Sequence, residues 1–336
     1  MIKIIRKQRR MTESNWQATT TPIYAIDIKE KERSHTEIKK YWELYLTDET
    51  VFGLINGLTT LTTGPGFTIE GEGDNKEIIE QAFSRSWPAI HSLVRNALIF
   101  GNGFGEIIYT RTGQFHSLEA LYPLDIDIEN ENGSFSYIHR ESGRIFGSDK
   151  IFNLVFFQRE DSNYGLSLLK PLYKAVLRKE KLESALVTAV ERHLPRLHVI
   201  LKQNQLGHYP SENERRAIAR LFSDLKPEYE IVTTDLVEIN TIDIKGVPNI
   251  DDYLSFMLSL ISLGAQTPIE ILGAAEKKVT HATARIRANV FFAGPIAYLQ
   301  RTLEHAINSQ ILQETPYRFR IKEWQMPLAY TGKVKC

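Results

Sequence analysis

Cysteine occurs once in the 336 residues, as Cys336. A disulfide framework and a thiolate metal site within one chain are therefore excluded, and a reducing compartment is expected. Net charge is missing as well: Lys and Arg number 41, and Asp and Glu number 41. A protein that grips nucleic acid through its whole field is basic, so any contact with DNA must be local, weak or deliberately non-adhesive. No run comes near the roughly 18 apolar residues of a membrane helix, so no transmembrane segment is expected. The opening MIKIIRKQRR is basic but has no apolar h-region behind it. It reads as a flexible arm rather than a signal peptide.

Catalytic signatures are missing too. Phosphate-loop, zinc-protease, nucleophile-elbow and EF-hand patterns do not occur. GNGFGE at Gly101–Glu106 looks like a fragment of a dinucleotide loop. That fingerprint needs a strand before it and a helix after it, whereas here a helix precedes and a strand follows. A glycine-rich turn is the reading. The nine histidines are scattered; His193 and His198 bracket Pro195 with nothing nearby to complete a ligand set. Asp125, Asp127 and Glu129 alternate along a strand and read as a solvated face. No enzyme activity, cofactor or metal is expected.

What is present is a clear order of elements. Helical spacing of apolar residues runs from about Glu37 to Leu61, and again from about Lys76 to Phe100 with an interruption at Trp87-Pro88. Short β-branched and aromatic runs between Gly101 and Phe156, punctuated by Asn-Gly and Ser-Gly, predict a small antiparallel β unit. A helix of about 25 residues then carries Leu168, Leu169, Leu172, Val176, Leu186 and Val190 on one face, with Pro171 near its start where proline is tolerated. RLHVILK, YEIVTT and VEINTI read as strands. SENERRAIARLFSDL reads as a helix opened by a Ser211/Glu214 capping box. IDDYLSFMLSLISLGA is a strongly apolar helix, and PYRFRIKEW closes the pattern as a strand. Between these last two runs a helix from about Thr280 to Leu312 contains Gly294-Pro295. Proline there costs about 3 kcal/mol and glycine about 1 kcal/mol, so a bend is expected.

The motifs, in this order, resemble those of portal proteins of tailed double-stranded DNA viruses, in a compact form with a reduced crown. LIFGNGFGEIIY resembles the family's turn and strand, and LEALYPLDIDIE its hairpin. YGLSLLKPLYKAV resembles the start of its first stem helix and ISLGAQTPIEILG the end of its second. THATARIRANVFFAGPIAYLQRTLEHAIN resembles its long kinked helix. Thr267 stands where the family has a small or apolar residue before the proline. The resemblance runs from about Leu46 to Phe319.

The resemblance implies an α+β portal fold: an arm over 1–35, a wing over 36–164 and a first stem helix over 165–194. A small clip follows over 195–246, then a second stem helix over 247–266 and a tunnel-loop region over 267–282. A kinked wing helix and closing strand occupy 283–324, and a tail 325–336. It also implies a ring of subunits, usually twelve, at one vertex of the virion capsid, assembled in the host cytoplasm. Its partners would be sequence-independent double-stranded DNA, the major capsid protein, the large terminase subunit and a head–tail adaptor, with no membrane. Lys277, Lys278 and His281 would face DNA from the tunnel loop. Lys170, Lys174, Arg178 and Lys181 share one helix face, as a channel stripe or an ordinary solvated face. Arg215, Arg216 and Arg220 on the clip helix would dock a partner or simply face solvent, and Gly294 and Pro295 would form the kink. Ser255, Ser259 and Ser262 make a small polar face suited to a subunit contact. A non-viral oligomeric scaffold or an undetected α/β enzyme is the alternative.

Overall fold

The computed structural model describes residues 35–131, 134–160, 162–193, 196–203, 207–223, 237–242, 250–272 and 281–324. In chain order the elements are α1 (His35–Thr47), α2 (Glu49–Thr63), β1 (Phe67–Glu70), α3 (Lys76–Phe100), β2 (Asn102–Tyr109) and β3 (Phe115–Ala120). Then come β4 (Ile126–Glu131), β5 (Ser134–His139), β6 (Ile145–Gly147), β7 (Ile151–Val155), α4 (Leu169–His193) and β8 (Arg196–Leu201). The last are α5 (Glu212–Ser223), β9 (Val237–Ile242), α6 (Ile250–Ala265), α7 (His281–Phe291), α8 (Ala297–Gln310) and β10 (Arg318–Ile321). The chain divides into two units. One holds residues up to Glu43, Thr68–Ser167 and Thr302–Arg320; the other holds Leu44–Phe67, Leu168–Arg301 and residues from Ile321 onward.

Two helices stand where apolar spacing predicts one between Glu37 and Leu61. The break is Asp48. Its backbone is extended, and its carboxylate accepts the N–H of Val51 at 2.8 Å, an N-cap that starts α2 afresh. The converse happens in α3, which runs unbroken through Pro88 where an interruption is expected. Pro88 is exposed, while Phe83, Ile90, Leu93 and Val94 around it are fully buried. Each such side chain contributes about 2 kcal/mol on burial, which together outweighs the roughly 3 kcal/mol that proline costs.

The expected β unit is two sheets. In the first, β2 lies between β3 and β7, all antiparallel, with Gly105 opposite Ala120 on one side and Phe152 on the other. Ser86 of α3 ties the helix to this sheet by accepting the N–H of Leu118 at 2.9 Å. The second sheet has the order β4-β5-β6. Pro123–Asp125 forms a 3₁₀ turn between the sheets, so Asp125 precedes β4 instead of alternating along it. Phe104, Ile126, Ile128, Tyr137, Phe146 and Ile151 pack into one buried cluster from both sheets. The outward-facing Asp127 of β4 is held by Arg140 at 2.6 Å and His35 at 3.3 Å, so it is a paired residue and not merely solvated. The closing strand β10 pairs with β1.

The GNGFGE segment is a turn shaped by close backbone approach. Gly101 caps α3 in the left-handed region (φ 89°) and donates to the Ala97 carbonyl at 3.0 Å. A Cβ at Gly101 would lie 2.2 Å from the Gly165 carbonyl oxygen. Asn102, fully buried, donates to Asn153 and accepts from the Gly165 N–H, both at 3.0 Å. The Asn153 N–H in turn donates to Gln310 at 2.8 Å. Backbone and amide groups thus meet one another directly at this turn.

Candidate functional site

All the candidate site residues belong to the second unit, and α4 organises it. Its apolar stripe, Leu169, Leu172 and Val176, is buried, and one turn further along the same face comes Lys179, equally buried. The Lys179 ammonium donates to Glu49 at 2.7 Å and Glu183 at 3.1 Å, and lies 3.2 Å from Asp48. Burial opposes its charge, but the hydrogen bonds to Glu49 and Glu183 and the nearby Asp48 outweigh it and hold the ammonium above its ordinary range. The same hydrogen bond holds Glu49 below the usual carboxylate value. Asp48 thus serves two elements, capping α2 through one oxygen and meeting α4 through the other.

The basic stripe lies on the other side of α4. Lys174, Arg178 and Lys181 are exposed and Lys170 is half-buried. Lys179 falls between them in sequence yet faces inward, a difference that spacing shows and charge alone hides. On α5 the Ser211/Glu214 box is formed, with Glu214 accepting the Ser211 N–H at 2.8 Å. Arg215, Arg216 and Arg220 are exposed there, and Arg216 pairs with Glu212 one turn back. β8 and β9 pair antiparallel, Arg196 opposite Ile242 and Leu201 opposite Val237. The run YEIVTT lies outside the described residues, as do Lys277 and Lys278. His281 is the first residue of α7.

Helix α6 packs on α4 closely: a Cβ at Gly264 would lie 2.5 Å from Leu172. It ends by side-chain chemistry. Thr267 is buried, donating its hydroxyl to the Ala265 carbonyl at 3.0 Å, while Ser262 donates to the Thr267 carbonyl at 2.5 Å. A threonine before the proline is therefore satisfied at this helix end. Ser262 terminates the helix, whereas Ser255 and Ser259 face outward. Apolar surface is left over: Tyr253, Phe256 and Leu263 of α6 and Ile286 and Val290 of α7 are exposed, Leu263 by 76% and Val290 by 66%. A groove of about 570 Å³ runs among Leu263, Ile286, Val290 and Pro295.

Between α7 and α8 the helix is continuous but changes its winding. Phe292–Ile296 is a π-turn containing Gly294 and Pro295. A proline has no N–H and its ring clashes with an α-helical carbonyl four residues back; one wider turn relieves both. The Ala297 N–H closes the turn onto the Gly294 and Phe292 carbonyls. Gly294 is exposed and a Cβ there would meet nothing within 4 Å, so proline, not lack of room, dictates the local geometry.

A family model described as the portal protein of Mu bacteriophage matches residues 38–257. Curated protein sequences contain no match. Among solved structures, the fold is similar to a chain from the neck of an empty GTA particle computed with C6 symmetry. The identity is 14% and the TM-score 0.65, over 89% of this chain and 87% of that one. A chain from the virion of a native gene transfer agent particle gives 13% and 0.64 over the same shares. One from the neck of a native GTA particle computed with C12 symmetry gives 12% and 0.59, over 87% of each chain.

Proposed function

We propose a function from one premise: this chain belongs to the family of the portal protein of Mu bacteriophage. It is a structural portal protein of the capsid, a head–tail connector. Copies close into a ring, of twelve by resemblance, at one capsid vertex, and double-stranded DNA passes through its centre in packaging and ejection. The family match over residues 38–257 carries this reading. The particle necks with a similar fold, computed with C6 and C12 symmetry, suit a cyclic assembly.

Physical features fit these roles. The exposed apolar side chains of α6 and α7 form a surface that rarely persists on a monomer, and in the ring it is buried between neighbours. Helices α4 and α6 act as the stem, and 195–246 as the clip that meets the terminase and the head–tail adaptor through Arg215, Arg216 and Arg220. Lys277 and Lys278 supply sequence-independent phosphate contact, as do Lys174, Arg178 and Lys181 if that face lines the channel. Such contact is weak and salt-sensitive, which lets DNA slide; a chain without net charge does not clamp it. The π-turn at Pro295 lets one long helix change course as the ring requires. No catalysis is assigned to the chain.

Deletion of the gene with complementation in trans tests the role. Particles made without the protein should be heads lacking DNA, restored by the wild-type chain. DNA-filled heads in its absence would contradict the proposal.

A further inference from the structure

A groove of about 750 Å³ opens in the first unit. Four segments wall it: the start of α3, the tip of the β2–β3 hairpin, the β6–β7 turn, and the end of α8 with the loop that follows. Its floor is apolar. Phe115, Leu312 and Tyr317 are buried there and Ile79 is half-buried, while Ile78 at the rim is 46% exposed.

The rim carries an excess of negative charge. Asp149 and Glu314 both line the groove and both are exposed. Lys150 offsets one of them: its ammonium lies 4.0 Å from the Asp149 carboxylate and 4.8 Å from the centre of the Tyr109 ring. Helix α8 also ends here, at Gln310, with no basic residue in its last turn. Its C-terminal partial charge, about half a negative unit, therefore adds to the carboxylates. The wall residue Tyr109 registers the sum: burial first, then the charges of Asp149 and Glu314, hold its phenol above the ordinary 10. We propose that this groove binds a segment of another protein in which a Lys or Arg stands between apolar side chains.

Neither half of that chemistry suffices alone. A bare cation meets exposed carboxylates, whose attraction in water is weak. A purely apolar ligand covers Ile78 but takes Asp149 and Glu314 out of water without a partner. Nucleic acid is repelled by the same carboxylates, since its affinity comes from cations that neutralise phosphates. A segment with both kinds of side chain covers Ile78 and the floor and brings its cation to Asp149 and Glu314, beside the end of α8. The groove belongs wholly to the first unit, whereas the α6 and α7 surfaces assigned to ring closure belong to the second. The inference therefore goes beyond the ring and does not rest on it.

Fluorescence anisotropy on the full chain tests this, with the labelled peptide Leu-Lys-Leu-Lys-Leu as the probe. It should bind at least about tenfold more tightly than Leu-Glu-Leu-Glu-Leu, Leu-Ser-Leu-Ser-Leu or Ser-Lys-Ser-Lys-Ser, and added salt should weaken it. Asp149→Lys combined with Glu314→Lys should cut the affinity about tenfold or more. So should Ile78→Asp, each variant keeping the circular dichroism spectrum of the parent. Glu141→Lys, at an exposed position outside the groove, should leave the affinity unchanged. Equal binding of the peptide without leucine would mean a charged patch only, and equal binding of the peptide without charge an apolar surface only. Rings that take up the probe only after dissociation would place a second copy in the groove. Each of these results, or an affinity indifferent to the groove variants, would overturn the proposal. None of them measures whether rings form, so failure here leaves the portal reading standing.

Discussion

Lys179→Met keeps an apolar stem of similar length on α4 and removes the ammonium that joins it to α2. Glu49 and Glu183 are exposed enough to turn to water, at little cost, as surface ion pairs do. Asp48 cannot. Only 9% of its side chain is exposed, and it is held in place by its N-cap bond to Val51. It keeps that bond but loses its cation at 3.2 Å, and a buried charged group left without such a partner costs about 2–3 kcal/mol. The expected loss is therefore about 2–3 kcal/mol, below the value for a fully enclosed pair because two of the three carboxylates can rehydrate. Asp48→Asn added to Lys179→Met should recover part of it.

The pH dependence has a definite sign. Glu49 is held below its ordinary 4.5, so its contribution is present above that pH and lost as pH falls through the lowered value. Lys179 is held above its ordinary 10.5, so its contribution is complete below that pH and lost only as pH rises beyond it. The gap between wild type and variant should be flat between pH 5 and 10, within roughly these bounds, and shrink in acid. Urea unfolding by circular dichroism measures the gap, and amide exchange at the start of α2 and the middle of α4 localises it, since a chain of two units is not expected to unfold in two states. A variant as stable as wild type, or a gap undiminished in acid below Glu49's ordinary value, would refute the reasoning.

Pro295→Ala should return the π-turn to α-helix and leave a folded, soluble subunit with defective ring closure or mixed ring sizes, seen by negative-stain microscopy. Gly294→Ala, by contrast, has room for its methyl group and should raise stability by up to about 1 kcal/mol, measured by thermal unfolding, with rings unchanged. Replacing Lys277 and Lys278 together by Glu should spare assembly but reduce DNA packaging and retention. The defect should be greatest at low salt, where screening is least, and a double variant that packages normally at every salt concentration would remove these lysines from the channel.

Local signals were readable wherever one element contains its own cause. The Ser211/Glu214 box, the apolar stripe of α4 and the turn signals around the short strands all lie within a few residues of the structure they specify. The misreadings came from distant partners. Apolar spacing runs straight through Asp48, and the break appears only because its carboxylate caps Val51 and meets Lys179, more than a hundred residues away. Pro88 looks like a helix breaker until the burial of Phe83 and Leu93 is counted. Lys179 sits in a run of charges that hides its place, and only the helical spacing from Leu169, Leu172 and Val176 tells its inward position from the outward ones of Arg178 and Lys181. The π-turn is a case between these: Gly294-Pro295 announces a disturbance, but its form depends on which carbonyls the following N–H reaches. The two sheets in place of one small β unit follow from the Pro123–Asp125 turn, whose effect on strand direction is not written in strand propensity.

The most direct test of the account is the mass and shape of the purified protein at micromolar concentration, by mass photometry with negative-stain class averages. Closed rings with a central hole are expected, and twelve copies of a 38.6 kDa chain come to about 460 kDa. A stable monomer, or an open filament with no closed ring, would contradict it.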